Sequence, residues 1–363
     1  MSAQASKKDL ISLLVIIIFT SIITGIHGLI SILFMITVSR LDFGRDSSSK
    51  HGVSSGTSRL GGIAILFSLT SGIMINHILS ENLSLTTISY YIDDLFIFSF
   101  LIGFVGLVED FYQNLSSKLR LFMIMIIAGV GMLFLNEILP FELEIFNPFE
   151  GFFKITLVYI FTVIMVSGFV NAGNIADGAN GLLSMVYTVF FLFLYSIDPS
   201  ILYSSAIVSL IIFFIYNIST GNIFLGDFGA YFLSAFVAFS SLKIYSEYDI
   251  SVFLIATILI YPCFEITRTL IVRFITKVSL MSPDNNHLHN YLHNYFISVG
   301  LNSHNSNSLT GLLLASLTSI LPLYLLIGGI KPNDNIWLLL FIFEFLFLCL
   351  IYLILNKINL KKI

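Results

Sequence analysis

Residues 336–356 read Ile-Trp-Leu-Leu-Leu-Phe-Ile-Phe-Glu-Phe-Leu-Phe-Leu-Cys-Leu-Ile-Tyr-Leu-Ile-Leu-Asn, and this stretch decides which solvent the chain folds in. A helix rises about 1.5 Å per residue and the bilayer hydrocarbon is about 30 Å thick, so roughly 20 mainly apolar residues make one crossing. Ten further runs of this kind occupy 10–38, 61–80, 91–108, 119–136, 155–172, 181–197, 199–217, 229–245, 251–275 and 309–328. The expectation is an all-α, polytopic integral membrane protein with about 11 transmembrane helices, or 10 if one closely spaced pair is a single span. The pair divided at Asp198-Pro199 is such a case, because Pro199 cannot continue a helix and suits a turn. The first run is too long for the apolar part of a signal peptide and no small-residue cleavage site follows it, so it counts as a helix.

Composition agrees with this reading. Of 363 residues 57% are hydrophobic and 10% charged, against roughly 25% charged in an ordinary soluble domain. Disorder, collagen, a coiled coil and a disulfide framework are excluded on the same grounds. The net charge of −4 comes with no block of basic residues, so nucleic acid is not an expected partner. Cys263 and Cys349 lie in apolar runs and read as small buried hydrophobes. With no internal repeat and no long linker, the chain reads as one helical membrane domain over 1–363, with a motif-bearing core at about 40–295.

Lys and Arg set the expected orientation. The segments 39–60, 109–120, 171–180, 218–228, 268–308 and 357–363 together hold 12 of the 17 Lys and Arg residues. That side is expected to be cytoplasmic, which puts the N-terminus in the periplasm and the C-terminus inside. Lys7 and Lys8 oppose this locally but are outnumbered by Arg40, Arg45, Lys50 and Arg59.

Five polar clusters fall on that face. Gly106-Leu107-Val108-Glu109-Asp110 ends a span, with Lys118 and Arg120 close behind. Paired carboxylates beside bases suit a divalent cation or proton transfer, and equally suit a charged helix end reaching water. Asn171, Asn174, Asp177, Gly178, Asn180 and Gly181 lie between two spans, where such polarity is costly unless it lines a cavity. The plainer reading is a glycine-rich turn. Asn217 precedes Gly221-Asn222-Ile223-Phe224-Leu225-Gly226-Asp227, where Asp227 is either a site carboxylate or a helix cap and Phe224 either faces lipid or stacks on a base. Ser282-Pro283-Asp284 leads to His287 and His289, two apart and without the further Cys or His that zinc would need. The stretch from His51 to Arg59-Leu60-Gly61-Gly62 is either a positive anchor or an anion site at free helix N–H groups. Carboxylates, amides, histidines and bases on one membrane face point to a metal–phosphate reaction on a substrate shared between water and lipid.

The order and content of these clusters resemble the polyprenyl-phosphate N-acetylhexosamine-1-phosphate transferases (glycosyltransferase family 4). His51…Ser58-Arg59-Leu60-Gly61-Gly62-Ile63-Ala64 resembles the family's His…Pro-Arg-x-Gly-Gly-x-Ala, and Gly106-Leu107-Val108-Glu109-Asp110 its Asp-Asp loop. Asn171-x-x-Asn174-x-x-Asp177-Gly178-x-Asn180-Gly181, Phe224-Leu225-Gly226-Asp227-x-Gly229 and Pro283-Asp284…His287-Leu288-His289 resemble the remaining three motifs. Glu109, Asn180, Asn290 and Ser58 depart from the family's Asp, Asp, His and Pro. The last three favour a polysaccharide-initiating relative, as in O-antigen or teichoic acid synthesis, over the translocase that makes lipid I. Glu109 extends its carboxylate by about one bond length (~1.5 Å).

The resemblance implies a cytoplasmic-face enzyme of the bacterial inner membrane. It would transfer N-acetylhexosamine-1-phosphate from a UDP-sugar to undecaprenyl phosphate, releasing UMP, with Mg²⁺ (or Mn²⁺) as cofactor and a homodimer as assembly. It implies Asp227 as metal ligand, and Asp110 with Glu109 at the lipid phosphate; consecutive residues diverge by about 100° on a helix, and Asp110 is expected to be the one aimed into the cleft. Asp177, Asn171, Asn174, Asn180 and Asn217 would contact nucleotide or sugar, with Phe224 stacked on uracil. Arg59, Lys118, His287 and His289 would neutralise the diphosphate, beside Gly61 and Gly62. The rivals are the phospho-N-acetylmuramoyl-pentapeptide transferase and, from another class, a polytopic transporter. Polar groups clustered at one surface rather than at midplane argue against the transporter. A CDP-alcohol phosphotransferase would need Ala-Arg after Asp177-Gly178, which is missing.

Overall fold

The computed structural model describes residues 2–45, 56–82, 94–279 and 286–360. His51 and Ser282-Pro283-Asp284 lie outside the described residues. The helices are α1 (Ser2–Ser39), α2 (Gly61–Asn82), α3 (Asp94–Tyr112), α4 (Ser117–Phe134), α5 (Gly151–Ala176), α6 (Leu182–Ile197) and α7 (Ile201–Thr220). They continue with α8 (Gly226–Glu247), α9 (Val252–Ile258), α10 (Ile260–Thr276), α11 (Leu288–Ser298), α12 (Ser303–Ala315), α13 (Leu321–Ile327) and α14 (Ile336–Leu360).

The chain is an all-α polytopic membrane protein. Among the described residues seven helices are long and apolar enough to cross a bilayer: α3, α4, α5, α7, α8, the joined α12–α13 and α14. The α9–α10 pair, bent by 86°, makes an eighth if it is one span. Over the described residues each expected apolar run falls mainly in a helical segment, and Thr24–Ser39, Gly61–Asn76 and Leu182–Ile197 are apolar helical stretches of 10–17 residues. Two of these end at a backbone break. α1 turns at Gly25 (φ 62°, ψ −145°), and α6 stops at Asp198-Pro199 after 16 residues, about 24 Å of helix. The α9–α10 bend has a proline cause. Pro262 has no N–H to give the Ile258 carbonyl, and the Ser319 hydroxyl donates to that carbonyl instead at 3.2 Å.

Helix α8 is the buried centre of the fold, with residues 226–240 all buried. α3 lies against it because Gly103 and Gly106 present no side chain. A Cβ on Gly106 would sit 2.3 Å from the Asp227 carbonyl oxygen, and one on Gly103 2.7 Å from the Phe232 Cβ. Small residues buy this close approach between membrane helices. The segments entering α2 and α8 are stitched together by backbone hydrogen bonds. Phe224 N–H donates to the Ser58 carbonyl at 2.7 Å, and Gly61 and Gly62 N–H donate to the Phe224 and Leu225 carbonyls at 2.9 and 2.8 Å. This stitching carries Arg59 to the start of α8.

Candidate active site

The site is built where the C-terminal end of α3 meets the N-terminal end of α8. Gly226 makes the turn with φ +75°, and a Cβ there would lie 1.9 Å from the Arg59 carbonyl oxygen. Asp110 lies fully buried beneath this turn. Its carboxylate accepts the N–H of Asp227 at 3.0 Å and of Phe228 at 2.8 Å, and pairs with Arg59 Nε at 3.2 Å. An anion at a helix N-terminus is favoured by the unpaired N–H groups and the helix dipole. Asp110 therefore faces α8, not the open cleft that the sequence reading gave it. Glu109, about 100° further round the helix, accepts the Leu115 N–H at 2.9 Å and lies 3.8 Å from Arg120.

Asp227 projects above the turn. Its Oδ1 meets Arg59 Nη2 at 3.0 Å and its Oδ2 meets Arg120 Nη1 at 2.6 Å. Sequence reasoning placed Lys118, not Arg120, at the diphosphate. Lys118 is exposed, and α4, started by the Ser116 cap on Leu119 N–H, turns Arg120 inward to Asp227.

Asp177 ends α5 in a partly exposed position. Burial, reinforced by the charge of Asp227 and opposed by Arg59, pushes its carboxyl up to about 7. The sign follows from linkage. The folded state keeps a proton that the unfolded chain releases near pH 4, so this group's contribution to stability is full below that value and is lost as pH rises through about 7. Only the anion can attract a cation or orient a substrate hydroxyl. The expected result is a kcat/KM that falls on acidification below about pH 7, a limb that reports the free enzyme. Asp177→Asn should flatten that limb, measured by initial rates between pH 5.5 and 8.5. A limb unchanged in the variant assigns the titration to another group.

The amides divide into two sets. Asn217 Oδ1 accepts Gly181 N–H and its Nδ2 donates to the Ile223 carbonyl, both at 2.6 Å. Asn180 accepts and donates within a clamp on α12: its N–H donates to Asn307 Oδ1 at 3.1 Å and its Nδ2 to Ser308 Oγ at 3.2 Å. Both are buried, so the structure places them as ties between turns. Asn171, whose Nδ2 donates to the Ser167 carbonyl, and Asn174 are partly exposed, as is the Phe224 ring. The Gly61 and Gly62 N–H groups, read as an anion site, are spent on carbonyls.

His287 and His289 stack with ring centroids 5.3 Å apart. Burial, the main cause, pushes His289 down to about 3, so it brings no positive charge at neutral pH. Behind them lie Glu265, Arg268 and Tyr261 of α10, which sequence reasoning missed. The signal was there: Glu265 and Arg268 interrupt the apolar run 251–275, and ionisable groups inside a span are rarely idle.

Among the described residues no three His, Cys, Asp or Glu side chains form a metal cage. Mg²⁺ does not require one, since it commonly takes one or two carboxylates and completes its shell with water and substrate phosphate. Glu109, Asp110 and Asp227 face two guanidinium groups, and Asp177 adds a further acid that senses Asp227. Hard oxygen donors with an acidic excess fit a divalent cation.

The structure thus gathers carboxylates and guanidiniums at one end of a bundle of membrane helices. Residues 94–245, from α3 to α8, match the glycosyl transferase family 4 pattern. It is 29% identical over 296 residues to a probable undecaprenyl-phosphate N-acetylglucosaminyl 1-phosphate transferase of Bacillus subtilis, covering 78% of this chain and 76% of the relative. It is 28% identical over 197 residues to an undecaprenyl-phosphate alpha-N-acetylglucosaminyl 1-phosphate transferase of Thermotoga maritima, covering 53% and 59%. A phospho-N-acetylmuramoyl-pentapeptide-transferase of Streptococcus uberis is 29% identical over 164 residues, covering 41% and 49%. The match to these last two thus spans less than two thirds of their length.

Proposed function

We propose that this chain transfers N-acetylhexosamine-1-phosphate from a UDP-sugar to undecaprenyl phosphate, giving undecaprenyl-diphospho-sugar and UMP, as the first membrane step of a cell-surface polysaccharide. The observation that carries this reading is Asp227 at the start of α8, seated on Asp110 and flanked by Arg59 and Arg120. The buried Arg120 Nε has no hydrogen-bond partner among the described residues, which leaves an N–H for a diphosphate oxygen. A lipid phosphate oxygen attacks the β-phosphorus, and the bond to the UMP oxygen breaks in line. A phosphate monoester is already largely dianionic at neutral pH, so positioning and charge neutralisation carry the rate.

Asp227 and Asp177 are the residues that would hold Mg²⁺ (or Mn²⁺), and the ion would supply charge neutralisation on the diphosphate. Arg59 and Arg120 orient the phosphates. Phe224 offers its ring to uracil, and Asn171 and Asn174 offer amides to the nucleotide or sugar. The whole chain, 1–363, acts as one domain in the bacterial plasma membrane. It crosses eleven times with the N-terminus outside, puts this site on the cytoplasmic face and pairs as a homodimer. Support for that topology is the helical segment over each apolar run and the Lys and Arg bias.

Purified protein should be assayed in detergent with undecaprenyl phosphate, Mg²⁺ and, separately, UDP-N-acetylglucosamine, UDP-N-acetylgalactosamine and UDP-N-acetylmuramoyl-pentapeptide. UMP release with an N-acetylhexosamine donor is expected. Turnover of the pentapeptide donor alone would move the assignment to the lipid I step, and no turnover of any donor would overturn it.

A further inference from the structure

On the transferase reading above, we propose that Glu265 is a positioning residue whose carboxylate fixes His287 at the cleft and, through Tyr261 and His289, braces the Asp177–Gly178 turn. Glu265 is fully buried in α10. Its Oε1 accepts the Leu288 N–H at 2.8 Å and lies 3.3 Å from the Tyr261 hydroxyl. Its Oε2 lies 2.9 Å from His287 Nδ1 and 3.2 Å from both Arg268 Nε and Nη2. Tyr352 of α14 backs Arg268, its ring centroid 5.0 Å from the guanidinium carbon. One carboxylate thus gathers the first turn of α11, both histidines and α10.

The protons can be accounted for. Tyr261 has one hydroxyl hydrogen, and its oxygen is 3.0 Å from His289 Nδ1. The carboxylate is the stronger acceptor and takes that hydrogen, so His289 Nδ1–H donates to the Tyr261 oxygen. His287 Nδ1 also lies 2.8 Å from Arg268 Nη2, which can only donate. Arg268 Nη2 has Thr269 Oγ1 as an acceptor at 2.9 Å, so the proton between His287 and Glu265 sits on Nδ1. A carboxylate that holds one ring nitrogen sets the tautomer and aim of the other. His289 Nε2 then abuts the Asp177 turn: a Cβ on Gly178 would come within 1.9 Å of it. The neutral His289 is a strut between α10 and Asp177, and His287 is the member of the pair that Glu265 holds directly.

The test uses the full chain in nanodiscs, with ¹⁵N-labelled histidine and kinetics on UDP-N-acetylglucosamine. Two-bond ¹H–¹⁵N spectra should show two histidines in the Nδ1–H form, assigned by their loss in His287→Asn and His289→Asn. Glu265→Gln keeps the shape but presents an amide to a nitrogen that needs an acceptor. It should move His287 out of the Nδ1–H form and lower kcat by about 10²-fold or more, with KM for the UDP-sugar changed by less than about threefold. Tyr261→Phe breaks only the second arm and should move the His289 signals while leaving those of His287. Unchanged histidine spectra in Glu265→Gln, or wild-type kcat, overturn the proposal. If Glu265→Gln does not fold, unchanged His289 signals in Tyr261→Phe overturn the relay. If the wild-type protein makes no lipid-linked product, the transferase reading fails while the spectra still decide the role of Glu265.

Discussion

Asp110→Asn should lose activity and stability together, and this joint loss is what distinguishes a buried cap from a reacting acid. The carboxylate accepts from two backbone N–H groups and from Arg59, and all three are donors. An Asn side chain has one acceptor oxygen, so its NH₂ must point at a donor. Breaking a buried ion pair from one side costs about 3–5 kcal/mol, because the partner stays buried and unpaired. The start of α8 then loses its seat and Asp227 its position, so the rate should fall by roughly 10²-fold or more. Glu109→Gln should be milder. Its pairing with Arg120 is long at 3.8 Å, worth about 0–1 kcal/mol, and Gln can still accept the Leu115 N–H. Thermal midpoints in detergent and initial rates at equal protein check both variants. A wild-type midpoint for Asp110→Asn would show that the carboxylate does not hold α8, and equal losses for the two would remove the division of labour.

The polar clusters were legible as clusters because polarity at helix ends in an apolar chain has few explanations. Which atoms in them face a substrate was not legible. Asn180 and Asn217 look like ligands in one dimension, yet their amides are consumed by Asn307, Gly181 and Ile223. Partners 127 residues away, as for Asn180 and Asn307, leave no local signature. Glu109 and Asp110 were recognisably divergent, since neighbours on a helix point about 100° apart. The direction of that divergence depends on where α8 lies, and that is set by Gly103 and Gly106. Arg120 outranks Lys118 for a similar reason: two positions apart on α4, they face nearly opposite ways, and the Ser116 cap fixes the phase. Hydropathy does not register the backbone breaks at Gly25 and between α9 and α10.

Asp227→Asn should do the opposite of Asp110→Asn: abolish turnover, with a loss on the order of 10³-fold or more, while the protein folds nearly as well as before. Asp227 lies at the first turn of α8, its side chain 11% exposed, and its two arginines have other partners. Arg59 keeps Asp110 at 3.2 Å, and Arg120 keeps Glu109 at 3.8 Å and Ser117 Oγ at 3.4 Å. Because each guanidinium keeps a partner, the loss should stay below the about 3–5 kcal/mol that stranding a buried charge costs. The variant also has a signature that needs no turnover. The charge of Asp227 is the second cause, after burial, of the raised Asp177 carboxyl. Removing that charge lets Asp177 ionise at lower pH, so the pH window over which its contribution to stability is lost should move down from about 7. Thermal midpoints from pH 4.5 to 8 on the wild type, Asp227→Asn and the double variant with Asp177→Asn would show it. In the double variant the window should vanish. Near-wild-type rates at saturating Mg²⁺ would remove Asp227 from the chemistry, and an unmoved window would show that the two carboxylates do not share a field.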